Sequence, residues 1–289
     1  MFTRLLKISA ILLAILLVVV GGSLWMLMRT GAALSQRTLP EIATPDLTAL
    51  VGDRERGAHL AVSRGCADCH GEGLRGKVFM SNRAMGRVVG SDLTPGAQGL
   101  GAEASLAAFD AAVRHGRTRA GKPIFLMPSQ DYWYFSNQEL VDLWAYVRSL
   151  EPSTDVVPGT DLGPVARLLL GTGQVKFAYD VIDHSAVRPE VPAKAPTAAY
   201  GRHLATLTCI GCHGKDLSGG KIPGGDPAWP PASDLRPTAL AAYSLESFTT
   251  VIRTGRRADG RDNHSAMPRA FAAFDDVEIR ALWEFLSKP

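Results

Sequence analysis

The chain has 289 residues, 46% hydrophobic and 20% charged, which is the composition of a folded protein with room for two small domains. Three of its 31 basic residues (Arg4, Lys7 and Arg29) border an apolar N-terminal run, so the remainder balances 28 basic against 28 acidic residues. A neutral remainder gives no electrostatic basis for binding nucleic acid, and we expect no nucleic-acid partner.

The first segment is an uncharged stretch from Ile8 to Met28 that contains "AILLAILLVVV". As a helix it is long enough to cross a hydrocarbon core of about 30 Å. The basic residues before it predict that the rest of the chain lies outside the cytoplasm. A cleavable signal peptide is the alternative, although the run exceeds an ordinary h-region. The sequence therefore predicts a transmembrane anchor over 1–30 in the inner membrane, a stalk over 31–46 and a periplasmic remainder.

An internal repeat organises everything that follows. "RGAHLAVSRGCADCHGEGLRG" recurs as "YGRHLATLTCIGCHGKDLSGG", "SDLTP" as "SDLRP", and "SLAAFDAAVRHGR" as "SLESFTTVIRTGR", in the same order. Such self-similarity is typical of a tandem duplication. We predict one domain over 47–152 and a second over 197–289, joined by a Pro-rich connector over 153–196 that straps the two together.

Each repeat has the pattern of a small helical domain. Ser105 and Ser244 are candidate N-caps of matching helices that end at Gly116 and Gly255. No segment alternates convincingly as a strand, so the fold class is predicted as all-α. His59 and His203, which match one another in the leading helices, are interpreted as packing or surface residues. About ninety-five residues with three short helices make a thin core, so another group must fill the middle of each domain.

The cysteines indicate what that group is. All four lie in two C-x-x-C-H motifs, made by Cys66, Cys69 and His70 and by Cys209, Cys212 and His213. Structural zinc requires about four ligands, and a thioredoxin-like dithiol requires a βαβ setting. A disulfide would leave both histidines unexplained. C-x-x-C-H is the attachment signature of haem c, so the sequence predicts two covalently bound haems, each with a histidine ligand to iron.

Methionine is the common second axial ligand in cytochromes c. Met127 and Met267 stand in matching Met-Pro pairs before the last helix of each repeat, and we predict them as the sixth ligands. The alternatives in the sequence are Met80, Met85, His115 and His264.

These residues resemble the class I c-type cytochromes, specifically the membrane-anchored dihaem cytochromes of bacterial respiratory chains. The resemblance covers 47–289 and rests on C-x-x-C-H, the "SDL-x-P" loops, "VRHGR" and "IRTGR", the Met-Pro pairs and the closing aromatic helices. It implies two tandem cytochrome c domains after one transmembrane helix. It also implies that Gly57 and Gly201 lie where the first and last helices cross, and that Pro223 backs a haem histidine.

Arg114 and Arg253 end matching helices, and a guanidinium suits a haem propionate. A solvated helix-end arginine is the alternative.

The expected function is electron transfer, without catalysis by this chain, between a donor such as a dehydrogenase or a quinol-oxidising complex and an acceptor such as a terminal oxidase. The alternative is a dihaem enzyme of the peroxidase or thiosulfate dehydrogenase type, in which one iron has an exchangeable ligand.

Overall fold

The computed structural model describes residues 2–101, 103–257 and 259–288. As predicted, the chain is mostly helical, with an apolar helix followed by two similar helical halves. The helices are α1 (Phe2–Gln36), α2 (Arg54–Ser63), α3 (Cys66–His70), α4 (Leu106–His115), α5 (Ser129–Tyr132), α6 (Asn137–Arg148), α7 (Pro164–Gly171), α8 (Ala178–Val181), α9 (Ala198–Thr208), α10 (Ile210–His213), α11 (Pro237–Leu240), α12 (Leu245–Thr254) and α13 (Asp276–Leu286).

In each half the first long helix crosses the last one at a glycine. A Cβ on Gly57 of α2 would lie 2.0 Å from the carbonyl oxygen of Asp142 in α6. A Cβ on Gly201 of α9 would lie 1.9 Å from the carbonyl oxygen of Ala281 in α13. Only glycine permits such close backbone approach, so these two positions fix the helix crossing that frames each half.

The middle helix of each half packs its aromatic ring on the last helix. Phe109 of α4 contacts Trp144, with 5.3 Å between ring centroids, and Phe248 of α12 contacts Trp283 at 5.5 Å. Ser105 and Ser244 cap these helices through hydrogen bonds to backbone N–H groups three residues on. Their ends are at glycines in the left-handed region, as the sequence indicates.

The expectation that the sequence holds no strands is wrong for the first half. Strands β1 (Lys77–Asn82) and β2 (Gly86–Gly90) form an antiparallel hairpin, and β3 (Asp161–Leu162) from the connector pairs with β2. Backbone pairing with a segment about 70 residues away stabilises this hairpin, and a single-sequence pattern does not display it. The connector is thereby attached to the first half.

Helix α1 is long and apolar enough to cross a bilayer, a property that a signal sequence near an N-terminus shares. It continues to Gln36, past the anchor boundary expected at residue 30. Its C-terminal part packs on α7 of the connector through two glycines. A Cβ on Gly31 would lie 1.8 Å from the Arg167 carbonyl oxygen, and one on Gly171 would lie 2.0 Å from that of Leu27. The apolar helix therefore packs directly on the rest of the protein.

Candidate haem sites

Each C-x-x-C-H motif lies in the wall of its own cavity. Cys66, Cys69 and His70 line a first cavity of about 730 Å³, and the second motif lines a cavity of about 310 Å³. The short helices α3 and α10 that carry the histidines end at Gly71 and Gly214, whose φ angles of 78° and 82° turn the chain away. Both cysteines and the histidine of a motif thus face one space.

The imidazoles are oriented by backbone carbonyl groups. Nδ1 of His70 lies 2.7 Å from the Ser91 carbonyl oxygen, and Nδ1 of His213 lies 2.7 Å from that of Ser233. A carbonyl only accepts, so Nδ1 donates and Nε2 keeps a free lone pair for a metal. Burial lowers the pKa of both histidines, which favours this neutral form.

Ser91 and Ser233 belong to the repeated "SDL-x-P" loops, whose role the sequence did not reveal. The expectation that Pro223 backs the second histidine is wrong, because the Ser233 carbonyl occupies that position and Pro223 is exposed. The same loops are tied to the segment after each motif. The N–H of Leu93 donates to the carbonyl of Leu74 at 2.8 Å, and the matching bond in the second half measures 2.9 Å.

The thiols are in an environment that disfavours thiolates. Burial raises the pKa of Cys66 to about 12 and that of Cys209 to about 11. Zinc binding and dithiol redox chemistry both use thiolates, which require a lowered pKa. The half-buried, neutral thiols line the cavities and are suited to a covalent link with an apolar group there.

Met127 lines the first cavity, and Met267 lines the second. Both therefore share a cavity with the C-x-x-C-H motif of their own half. Among the alternatives, Met80 and Met85 pack in a cluster of strand and connector residues and are not among the described residues that line either cavity. His115 contacts His184 of the connector, whereas His264 is in the lining of the second cavity.

Arg114 and Arg253 are bound to protein groups. Arg114 is fully buried and donates to Asp110, to the Phe135 carbonyl and to Asn137. Arg253 donates to Asp276 at 2.8 Å and to a backbone carbonyl. Neither is among the described residues that line the cavities, and their contact with haem stays a prediction.

The two cavities differ in their surroundings. The first is walled in addition by the end of α1, through Ala32 and Gln36, and by Phe177 of the connector. The second is closed by its own loops, including Ile222 and His264. Connector and apolar helix therefore enlarge only the first cavity.

The residues present fit haem c. Each cavity combines two half-buried cysteine thiols, an imidazole with a free Nε2 and a thioether on largely apolar walls. A porphyrin would also fill the space that the thin helical cores leave open.

Two family models of cytochromes match the chain. The family model described as "Cytochrome c" matches residues 54–151, and the model described as "Cytochrome C oxidase, cbb3-type, subunit III" matches residues 196–286. Each match therefore covers one of the two repeats.

Two curated relatives match about a third of the chain. The fructose dehydrogenase cytochrome subunit of Gluconobacter japonicus is 29% identical over 107 residues, which is 33% of this chain and 22% of that protein. The alcohol dehydrogenase (quinone) cytochrome c subunit of Gluconobacter oxydans is 35% identical over 95 residues, which is 29% of this chain and 20% of that protein. The matched region thus spans about a fifth of each relative. The chain is a class I c-type cytochrome, with two cytochrome c domains in tandem.

Proposed function

We propose that the chain binds two haem c groups, one in each cavity, and relays single electrons between respiratory proteins at the periplasmic face of the inner membrane. The duplication of the whole site carries this proposal. Two thiols, an imidazole with a free Nε2 and a methionine line each of the two cavities.

The ligand sets follow from the lining residues. His70 and Met127 would bind the first iron, and His213 and Met267 the second, while the four cysteines hold the porphyrins covalently. When bound, haem supplies one-electron chemistry between Fe(III) and Fe(II). The chain's own residues orient the imidazoles through the serine carbonyls and keep the site apolar. An iron held by His70 and Met127, or by His213 and Met267, would leave no coordination position for a substrate, which favours electron transfer over a dihaem enzyme.

Helix α1 would anchor the chain as a single membrane span. Its C-terminal turns pack on α7 at Gly31 and contribute Ala32 and Gln36 to the wall of the first cavity. An anchored chain would thus carry its first haem close to the membrane surface.

The relatives suggest the kind of partner. Both are cytochrome subunits of dehydrogenases by name. We propose a dehydrogenase or a quinol-oxidising complex as the donor and an acceptor such as a terminal oxidase, with this chain as a free carrier or as a bound electron-transfer subunit.

The test counts haems and then removes a ligand. Mass spectrometry of the mature protein should find two covalently attached haems. Met267→Leu should convert one haem to a high-spin ferric form and lower its reduction potential, whereas Met85→Leu, in the connector cluster, should leave both spectra unchanged. Fewer than two haems would overturn the proposal. Ready cyanide binding by a native haem would favour the dihaem enzyme.

A further inference from the structure

A histidine–glutamate pair occurs twice between the two domains. His59 of α2, in the first domain, contacts Glu278 of α13 in the second, with 2.7 Å between Nε2 and Oε2. His203 of α9 contacts Glu139 of α6 in the first domain, with 3.0 Å between Nε2 and Oε1. The repeat aligns the two histidines in "GAHLA" and "GRHLA", and the two glutamates in "QELVDLW" and "VEIRALW". The interface is therefore approximately symmetric under exchange of the domains.

Each glutamate is positioned by its own helix before it meets the other domain. Glu139 accepts a hydrogen bond from the Ser136 N–H at 2.8 Å, and Glu278 accepts one from the Asp275 N–H at 3.0 Å. Both are capping boxes, which fix the carboxylates at the helix N-termini. Glu278 is fully buried, and a buried carboxylate is destabilising unless it is paired. His59 and Arg64 of the facing domain both contact this carboxylate.

Arg64 breaks this symmetry. Its side chain is fully buried, donates to Oε1 of Glu278 at 2.7 Å and lies over the ring of Phe274, 5.2 Å from the centroid. Both partners belong to the second domain. The second repeat has Thr208 directly before its first cysteine and offers no matching arginine. These two contacts therefore form only when the domains are docked.

The two haem motifs lie beside this interface. Gly211, inside the second motif, contacts the first domain so closely that a Cβ there would lie 2.7 Å from a carboxylate oxygen of Asp131. Arg64 adjoins both cavities, because Gly65 and Cys66, which follow it directly, line the first, and Phe274, over whose ring its guanidinium lies, lines the second. Its partner Glu278 stands one helical turn before Leu282, which also lines the second cavity.

We propose that five residues, called the interdomain clamp (His59, Arg64, Glu139, His203 and Glu278), hold the two haem sites at one fixed spacing. Within the clamp, Arg64 raises the reduction potentials of both haems, and Glu278 lowers them. The inference rests on the proposed electron relay and adds to it the residues that position its two centres. The connector packs mainly on α1, on β2 and beside α5, elements of the first half and the apolar helix, and Lys194 joins it to Asp275 of the second domain. The clamp supplies charged contacts that the two domains make with each other directly.

Cutting the connector tests the docking. A protease site inserted at the exposed Glu190 allows the haem-loaded, detergent-solubilised protein to be cleaved between the domains. The native halves should remain one particle in size-exclusion chromatography and sedimentation. Arg64→Met with Glu139→Gln should raise the dissociation constant of the halves at least tenfold, whereas Arg202→Met, on the exposed face of α9, should not. Separation of the cleaved native halves, or equal affinity in the clamp variant, would overturn the docking role.

Redox titration tests the electrostatic role, because a loss of packing alone would not shift the reduction potentials in opposite directions in two variants. A unit charge acting over about 10 Å at an effective dielectric constant of about 20 changes a one-electron equilibrium roughly tenfold, or about 59 mV. Arg64→Met should therefore lower both reduction potentials, Glu278→Gln should raise them, and the double variant should return them towards native values. Arg202→Met is the solvent-screened control. Shifts of the same sign in both single variants, or no shift, would overturn the assignment. Failure to exchange electrons with any dehydrogenase would overturn the proposed function and leave both measurements valid.

Discussion

The helix crossing at Gly201 allows a sharp prediction for Gly201→Ala. The added Cβ would lie 1.9 Å from the Ala281 carbonyl oxygen and 2.9 Å from Cβ of Phe285. A carbon normally keeps about 3.3 Å from a carbonyl oxygen, so α9 and α13 must separate by more than 1 Å. Overpacking of this kind costs up to about 3 kcal/mol, and the higher helix propensity of alanine returns about 1 kcal/mol. We expect a net loss of about 2 kcal/mol.

The consequence should appear in stability and in the second haem site. For a domain of this size, 2 kcal/mol lowers the melting temperature by roughly 8–16 °C, measurable by circular dichroism. Leu282 and Leu286 of α13 line the second cavity, so the absorption spectrum of that haem should change while the first stays native. Ala199→Gly, at an exposed position of α9, is the control and should cost no more than about 1 kcal/mol. A melting temperature of Gly201→Ala within about 2 °C of native would refute the reasoning.

Three further perturbations follow from the same contacts. Burial lowers the pKa of His115 to about 4. Because the unfolded chain takes up the proton first, the free energy of unfolding should fall by about 2 kcal/mol as the pH falls from 7 to 5. His115→Leu should remove this pH dependence, measured by urea unfolding at the two pH values. Burial alone would raise the pKa of Glu278, but the His59 imidazole and the Arg64 guanidinium outweigh it and bring the pKa to about 2. The resulting stabilisation is complete above about pH 4.5 and is lost as the pH falls towards 2. The free energy of unfolding of Glu278→Gln should therefore depend less on pH in that window. In Gly31→Leu the new Cβ would lie 1.8 Å from the Arg167 carbonyl oxygen, so α1 should separate from α7. Backbone hydrogen exchange across α7 should then be at least tenfold faster. Unchanged exchange would contradict the close packing of the two helices.

The features that the sequence predicts well are local. C-x-x-C-H places two thiols and an imidazole within five positions, and the structure brings each set to a cavity with the methionine of its own half. Ser105 and Ser244 start their helices because a side-chain oxygen can accept from backbone N–H groups a few residues ahead. Neither inference requires knowledge of a distant contact.

Backbone hydrogen bonds and long-range contacts could not be predicted from the sequence. The hairpin over 77–90 is completed by residues 161–162, and no alternation in its own sequence reports that pairing. The carbonyls of Ser91 and Ser233 orient the haem histidines, but a backbone carbonyl carries no residue signature. The repeated "SDL-x-P" was visible as a pattern, whereas its hydrogen bonds became visible only in three dimensions.

His59 and His203 show how duplication hides an interface. In one repeat each histidine has the pattern of an ordinary helix-surface residue, because its partner is a glutamate in the other repeat. If the two domains were identical, such a symmetric interface would make their haem sites equivalent, and an electron would have no preferred direction between them. Arg64 stands on one side only, and the connector and α1 wall the first cavity only. These differences make the two ends of the proposed relay unequal, so the direction of transfer must come from the residues that the repeats do not share.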